Sequence, residues 1–168
     1  MTSPEDGIAE IEIRDEIGGW GVTAAQFSRD LKALGKLSEI HLIIQSPGGS
    51  IVEGHALFNI LRAHPATVHA HVDFAASMAT VVAMAADHRT IAENGWFMIH
   101  NPWTVAMGEA EELRKQADVL DRMKEQIVTA YEDATGLGRA VIVAMMDDET
   151  WMTGAEAVAA GFADEVSP

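Results

Sequence analysis

The stretch Ile40-His-Leu-Ile-Ile44, followed by Gln45-Ser-Pro-Gly-Gly49, decides the expected fold of this chain. The first five residues are almost continuously apolar, which is typical of a strand buried on both faces in a parallel sheet. The proline and the two glycines then predict a turn whose backbone N–H groups can approach a ligand without a Cβ atom in the way. We therefore expect an α/β protein.

Strands and helices alternate on both sides of this stretch. The pattern predicts, in chain order, a strand at 8–13, a helix opened by Thr23 and ending near 34, a helix at 51–63, a strand at 67–72, a small-residue helix at 78–86, and strands at 89–92 and 96–99. Repeated strand–helix units are typical of α/β folds. A length of 168 residues calls for one hydrophobic core, so we expect a single domain over 1–168.

The last third of the chain is predicted to be helical. A long amphipathic helix covers about 108–135, with an apolar face that has no partner strand nearby in sequence. That face is expected to pack either on the domain or on another subunit. An apolar segment at 141–146 follows, and Thr153-Gly-Ala-Glu156 is a capping box that opens a final short helix before Gly161.

Composition excludes several classes of function. The formal net charge of −15 disfavours nucleic acid and anionic membranes as partners. The chain has no cysteine, which excludes disulfides, thiolate zinc sites and cysteine nucleophiles. It also lacks a phosphate-binding glycine loop with lysine and a His-Glu-x-x-His motif, so no cofactor or metal is expected.

The beginning of the chain gives an expectation about location. Residues 1–6, Met-Thr-Ser-Pro-Glu-Asp, are acidic where a signal peptide would be basic, and they are expected to be loose. No apolar run approaches the roughly 18 residues of a membrane span. We therefore expect a cytoplasmic protein.

Ser77 is the candidate nucleophile. It lies in Ala75-Ala-Ser-Met-Ala79, at the junction of a predicted strand and an apolar helix, where its neighbours have almost no side chain to block approach. The helix N-terminus would add unpaired N–H groups near any negative charge that forms there. The alternative is that Ser77 is only the helix N-cap.

Three further groups of residues fit an acyl-transfer site, which needs a base, an orienting acid and oxyanion donors. His100 ends an apolar run and precedes Asn101-Pro102, so it lies where the chain leaves a buried strand. The Gly48-Gly49 turn follows another buried strand. The acidic run 147–149 ends a helical segment, from which one carboxylate could reach a histidine N–H.

Four motifs, in this order and spacing, resemble the Clp protease proteolytic subunit family, and most of all its phage- and prophage-borne branch. They are Ser-Pro-Gly-Gly at 46–49, Ala-Ser-Met at 76–78, Met-Ile-His-Asn-Pro at 98–102 and Thr-Gly-Ala-Glu-Ala-Val at 153–158. The resemblance covers roughly 8–166 and implies a Clp-protease/crotonase-like fold with a long projecting helix at about 108–135. The family usually has a glycine a few residues before the nucleophile, which 72–75 lacks here.

The resemblance also implies roles for individual residues. Ser77 would be the nucleophile and His100 the general base, and the backbone N–H groups of Gly49 and Met78 would form the oxyanion hole. The family usually has an aspartate where Glu149 falls, so Glu149 is the expected third member of the triad, with Asp148 as the alternative.

The implied function is serine endopeptidase activity on polypeptides. It would take place inside a homo-oligomer of stacked heptameric rings, to which the long helix contributes. An unfoldase ATPase is a candidate partner, as expected for ATP-dependent peptidase activity.

Other functions remain open from sequence. A serine–lysine peptidase is opposed by the absence of lysine between Lys36 and Lys115. An acyl-CoA hydratase-like enzyme would expect acidic catalysts near the glycines. The chain could also be a catalytically impaired scaffold in phage head assembly. His69 and His71 lie on one face of a strand and could hold a metal, but no third ligand is spaced to join them.

Overall fold

The structure, a computed structural model, describes residues 7–168. The expected looseness of the first six residues lies outside this range. The strands are β1 (Ile8–Ile13), β2 (Glu39–Ser46), β3 (Thr67–Ala76), β4 (His88–Ile99), β5 (Thr150–Thr153) and β6 (Glu165–Ser167). The helices are α1 (Ala24–Ala33), α2 (Ile51–Arg62), α3 (Met78–Ala83), α4 (Ala110–Thr135), α5 (Arg139–Asp147) and α6 (Gly154–Ala159).

All the strands join in one sheet. The order is β1-β2-β3-β4-β5, and β6 also pairs with β4. The first four strands are parallel to one another, and β5 is antiparallel to β4. The α/β class, the repeated strand–helix units and the long helix are therefore confirmed. Strands β5 and β6 were not predicted, because three or four residues are too few to show a period.

The prediction that residues 40–44 are buried on both faces is wrong. Ile40, Leu42 and Ile44 are fully buried, whereas His41 is exposed and Ile43 is half-buried. Alternation of this kind means that one face of the sheet packs on the core and the other faces outward. The outward histidine between apolar neighbours was the sequence signal for this.

The strands on either side of the candidate nucleophile are longer than predicted. The sequence predicted that β3 would end at Val72, but it continues to Ala76 with an irregularity at Asp73, where the pairing register shifts. The two strands predicted at 89–92 and 96–99 form the single strand β4, in which residues between Ile91 and Trp96 leave the register. Residues that leave the register in this way bend and twist a strand locally.

Helix α4 is anchored by its C-terminal half. Ile127, Val128 and Tyr131 are buried, whereas Leu113 is 40% exposed and Val119 is 48% exposed. The apolar face of α4 was expected to pack either on the domain or on another subunit. It packs on the domain in the C-terminal half only. Within residues 7–168 no helix combines the length and apolar character needed to cross a membrane.

Helix α5 offers a matched pair of substitutions that tests its packing. Ile142 is fully buried, and the adjacent Val141 is 50% exposed. We expect Ile142→Ala to lower the free energy of unfolding by about 2–4 kcal/mol, because it leaves a cavity beneath the helix. Val141→Ala should change it by less than about 0.5 kcal/mol. Urea unfolding followed by circular dichroism measures both, and equal losses in the two variants would contradict this packing.

Candidate functional site

Ser77 lies between the last residue of β3 and the first residue of α3, in a strained backbone conformation. Its φ is 57° and its ψ is −129°. Ser77 and Glu149 are the non-glycine residues with positive φ among residues 7–168. Conformations of this kind cost of the order of 1–3 kcal/mol and tend to occur at functional sites.

The side chain of Ser77 contacts a histidine rather than capping α3. It makes no capping hydrogen bond. Its Oγ lies 2.8 Å from Nε2 of His100, within the range for nucleophile and base. The N-cap alternative therefore does not describe the Ser77 hydroxyl. Since Nε2 faces the hydroxyl, a neutral imidazole protonated on Nδ1 would accept the Ser77 proton.

The pairing of β3 with β4 explains why these two residues meet. Ala76 is paired with Met98 in the parallel register, and the Ser77 N–H donates to the Met98 carbonyl at 2.9 Å. Both strands end within two residues of this pair, so their exits lie side by side. The His100 side chain is 17% exposed, which keeps the imidazole at the edge of the core.

Glu149 approaches His100 on its other side. Its Oε2 lies 4.0 Å from His100 Nδ1, a distance longer than a hydrogen bond, and its side chain is 60% exposed. The other carboxylate oxygen accepts a hydrogen bond from Trp151 Nε1 at 3.3 Å. Within residues 7–168, Asp148 forms no hydrogen bond or ion pair with His100. Of the two acids considered from sequence, Glu149 is therefore the one near the imidazole.

The N–H groups of Gly49 and Met78 are free to bind a ligand. Gly49 pairs with Ile17 in a parallel bridge, whose two hydrogen bonds are made by the Gly48 carbonyl and the Ser50 N–H. The N–H of Gly49 itself takes no part in this bridge. Met78 is the first residue of α3, where an N–H has no intrahelical acceptor. Within residues 7–168 neither group donates to a protein acceptor, and both residues line the cleft beside Ser77.

Gly48 allows the Ser-Pro-Gly-Gly turn to pack directly against the Ser77 backbone. Its φ is +88°, and a Cβ built there would lie 2.5 Å from the Ala76 carbonyl oxygen and 2.7 Å from the Met78 nitrogen. Both contacts are with backbone that cannot move aside. Only glycine fits here, and its absence of a side chain brings the Gly49 and Met78 amides to one cleft.

The cleft next to Ser77 is largely apolar. Its volume is about 490 Å³, and its walls beyond the Ser77–His100 pair include Val81, Met98 and Ile127. A space of this size and character accommodates an apolar side chain next to the hydroxyl. The arrangement as a whole can therefore hold a carbonyl group against a hydroxyl, an imidazole and two amide donors.

A buried chain of hydroxyl groups supports the Ser77 backbone. Thr80 Oγ1 donates to the Ser77 carbonyl at 2.5 Å and lies 2.6 Å from the Tyr131 hydroxyl. Because the Thr80 proton is already used, Tyr131 is the donor to Thr80. Thr80 is fully buried and Tyr131 is 1% exposed, so helix α4 is connected to the strained turn through a buried contact.

The predicted absence of a metal site concerns His69 and His71. His69 lies in a row with His41 and His88 across three strands, and His71 Nδ1 lies 2.8 Å from Thr90 Oγ1. Among residues 7–168 no group of three or more histidine, aspartate or glutamate side chains is arranged to hold a metal ion.

Comparison with known proteins identifies the family. A family model described as Clp protease matches residues 21–168. The chain belongs to this family. The resemblance drawn from the four motifs is thereby confirmed, while the assignment to its phage- and prophage-borne branch stays a prediction.

Curated members of the Clp protease family align with about three quarters of this chain. The ATP-dependent Clp protease proteolytic subunit 1 of Leifsonia xyli subsp. xyli is 32% identical over 131 residues, covering 76% of this chain and 66% of the relative. Subunit 1 of Prochlorococcus marinus is 32% identical and subunit 2 of Parasynechococcus marenigrum is 34% identical, each over 131 residues. These matches cover 76% of this chain and 67% and 66% of the two relatives. The chain thus spans just under two thirds of the length of the first relative.

Sequence reasoning missed the contacts behind the Ser77–His100 pair. The sequence pattern places Thr80 in an apolar helix and Tyr131 on an apolar helix face, and neither pattern indicates a hydrogen bond between them. The available signal was that Tyr131 is the single tyrosine of the chain and lies on a core-facing stripe, where a phenol needs a hydrogen-bond partner. A threonine one turn after a strained serine was a partner within reach.

Tyr131→Phe tests the hydroxyl chain. At neutral pH we expect it to lower the free energy of unfolding by about 1 kcal/mol, because one buried hydrogen bond is lost and no donor is left unpaired. Burial raises the pKa of the Tyr131 phenol above its usual range, and the hydrogen bond with Thr80 offsets part of this. The stabilisation is therefore present below the unfolded pKa of about 10 and is lost as the pH rises above it.

Urea unfolding at about pH 8 and about pH 11 measures this difference. The parent protein should lose more stability between the two values than Tyr131→Phe does. Thr80→Ser, which keeps the hydroxyl, is the matched control and should retain the parent's alkaline loss. Equal alkaline losses in the parent and in Tyr131→Phe would show that the phenol is not held in a buried site.

Proposed function

We propose that this protein is a serine endopeptidase that hydrolyses peptide bonds through Ser77, His100 and Glu149. The observation that carries the proposal is the 2.8 Å contact between Ser77 Oγ and His100 Nε2. It is supported by the two amide donors at the same cleft and by membership of the Clp protease family. The relatives are named as proteolytic subunits.

The chemistry proceeds in two halves. His100 takes the Ser77 proton as the oxygen attacks a peptide carbonyl, and the N–H groups of Gly49 and Met78 stabilise the negative oxygen of the tetrahedral intermediate. Breaking the C–N bond releases the amine, which receives the proton from His100. A water molecule then attacks the acyl-enzyme with the same base, which frees the acid product and restores Ser77.

Glu149 orients the imidazole in this mechanism. A carboxylate beside Nδ1 favours the tautomer with the proton on Nδ1 and stabilises the imidazolium that forms during attack. At 4.0 Å and 60% exposure, its effect is reduced by solvent screening. We therefore assign Glu149 a smaller contribution than that of a buried aspartate.

We also propose that the working form is a homo-oligomer of stacked heptameric rings. The N-terminal half of α4 presents Leu113 and Val119 to solvent, and the preceding loop presents Trp103, Val105 and Met107, which are 69%, 86% and 92% exposed. Apolar surface of this extent is typical of contact sites. Polypeptides are the proposed substrates, an unfoldase ATPase is the proposed partner and the cytoplasm the proposed location.

Ser77→Ala and His100→Ala test the peptidase proposal. Each should reduce hydrolysis of an internally quenched peptide by about 10⁴- to 10⁶-fold, because the nucleophile or its base is lost. A fluorophosphonate probe should label Ser77 in the parent and fail to label either variant. Ser28→Ala, which changes a serine of α1 away from the cleft, should react like the parent.

Two results would contradict the peptidase proposal. Ser77→Ala protein that hydrolyses the peptide at the parent rate would remove Ser77 as the nucleophile. A parent protein that assembles into a ring but is neither labelled nor active would favour the alternative of a catalytically impaired scaffold in phage head assembly.

Glu149→Gln tests the third position of the triad. We expect kcat to fall by about tenfold, well below the loss of about 10⁴-fold typical of a buried orienting aspartate. Asp148→Asn is the matched control and should stay within about twofold of the parent. A steady-state assay of peptide hydrolysis distinguishes them, and a larger loss in Asp148→Asn would transfer the role to that residue.

A further inference from the structure

Asp147 joins three separate elements close to the Ser77–His100 pair. Its Oδ1 accepts hydrogen bonds from Asn101 Nδ2 at 2.8 Å and from Lys124 Nζ at 2.7 Å. Asn101 follows β4, Lys124 lies on α4 and Asp147 is the last residue of α5. One carboxylate oxygen therefore ties together chain segments that are far apart in sequence.

Two residues of this cluster lie close to members of the proposed triad along the chain. Asn101 directly follows His100, and Asp147 precedes Glu149 by two residues. The hydrogen bond between the Asn101 and Asp147 side chains therefore holds together the two chain segments that carry His100 and Glu149. Glu149 itself has a φ of 50°, so the turn that carries it is held against a local preference for other conformations.

The charges and the partial burial of the cluster support its geometry. The Lys124 ammonium, followed by the Asn101 amide, lowers the pKa of the Asp147 carboxyl below its usual range, so the carboxylate is ionised at neutral pH. The Lys124 side chain is 21% exposed and the Asp147 side chain is 52% exposed, so the ion pair lies at the edge of the core. The buried Oδ1 of Asn101 has no hydrogen-bond partner within the described part of the chain, which leaves the Nδ2 contact with Asp147 to orient the amide.

We propose that Lys124, Asp147 and Asn101 are positioning residues that set the distance between Glu149 and His100. They touch neither the substrate nor the reacting atoms, and they act by holding the turn after α5 against the exit of β4. This role rests on the proposed peptidase function. It gives the C-terminal half of α4 an effect on the orientation of the imidazole.

Lys124→Met tests this role in the full-length protein, since methionine keeps most of the side-chain stem and removes the ammonium. We expect kcat for a quenched peptide to fall by about fivefold with KM unchanged, because a misplaced orienting group affects the chemical step. Lys124→Arg retains a cation and should restore kcat to within about twofold of the parent. Lys32→Met, which changes an exposed lysine at the end of α1, should be equal to the parent.

A double-variant cycle separates positioning from a general loss of structure. If Lys124 acts through Glu149, then Lys124→Met combined with Glu149→Gln should have the same kcat as Glu149→Gln alone. A merely structural role would multiply the two losses and would lower the midpoint of thermal unfolding in step. Multiplied losses, or a Lys124→Met protein with the parent's kcat, would overturn the proposal.

The experiment also distinguishes failure of this role from failure of the peptidase proposal. If the parent protein hydrolyses no peptide and is not labelled by fluorophosphonate, both the positioning role and the peptidase proposal fail. An active parent with unchanged Lys124→Met removes the positioning role alone. Should Lys124→Met fail to fold, Asn101→Ala removes the other hydrogen bond to Asp147 and carries the same cycle with the same expected outcomes.

Discussion

The parallel pairing of β3 with β4 is the constraint on which the rest of the site depends. Parallel strands end at the same edge of a sheet, and the Ala76–Met98 pair lies at that edge. The next residues along each strand therefore leave the sheet side by side, and a hydroxyl and an imidazole from different parts of the chain meet without any loop having to close over them. A shift of register by one residue would turn one of these side chains to the other face.

The strained turn at Ser77 is stabilised from several directions. Its N–H is bound by the Met98 carbonyl, its own carbonyl by Thr80, and Gly48 packs against the residues on both sides. A cost of about 1–3 kcal/mol is offset by these hydrogen bonds, at about 1 kcal/mol each, together with the packing of a fully buried helix. The conformation persists because the neighbouring elements determine it, and it leaves the hydroxyl free to face the histidine.

The fold class could be predicted from local patterns, and Ser77 and His100 could be singled out as candidates because each lies where an apolar run ends. The distance between Ser77 and His100 could not be predicted, because it depends on the pairing register of β3 and β4. No local pattern in the sequence reveals that register. Local patterns did not separate the two acids at 148 and 149; the resemblance favoured Glu149, whose Oε2 lies 4.0 Å from His100 Nδ1. The burial of β2 was mispredicted because a mostly apolar run indicates burial on both faces, whereas the one polar residue within it, His41, marks the outward face.

Helix α4 connects these observations. Lys124 and Tyr131 are seven residues apart, or about two helical turns, and therefore lie on one face of the helix. Tyr131 reaches the Ser77 carbonyl through Thr80, and Lys124 reaches the segment carrying Glu149 through Asp147. The same helix exposes apolar side chains in its other half. One face of the same helix therefore holds both the strained turn at Ser77 and the segment that carries Glu149.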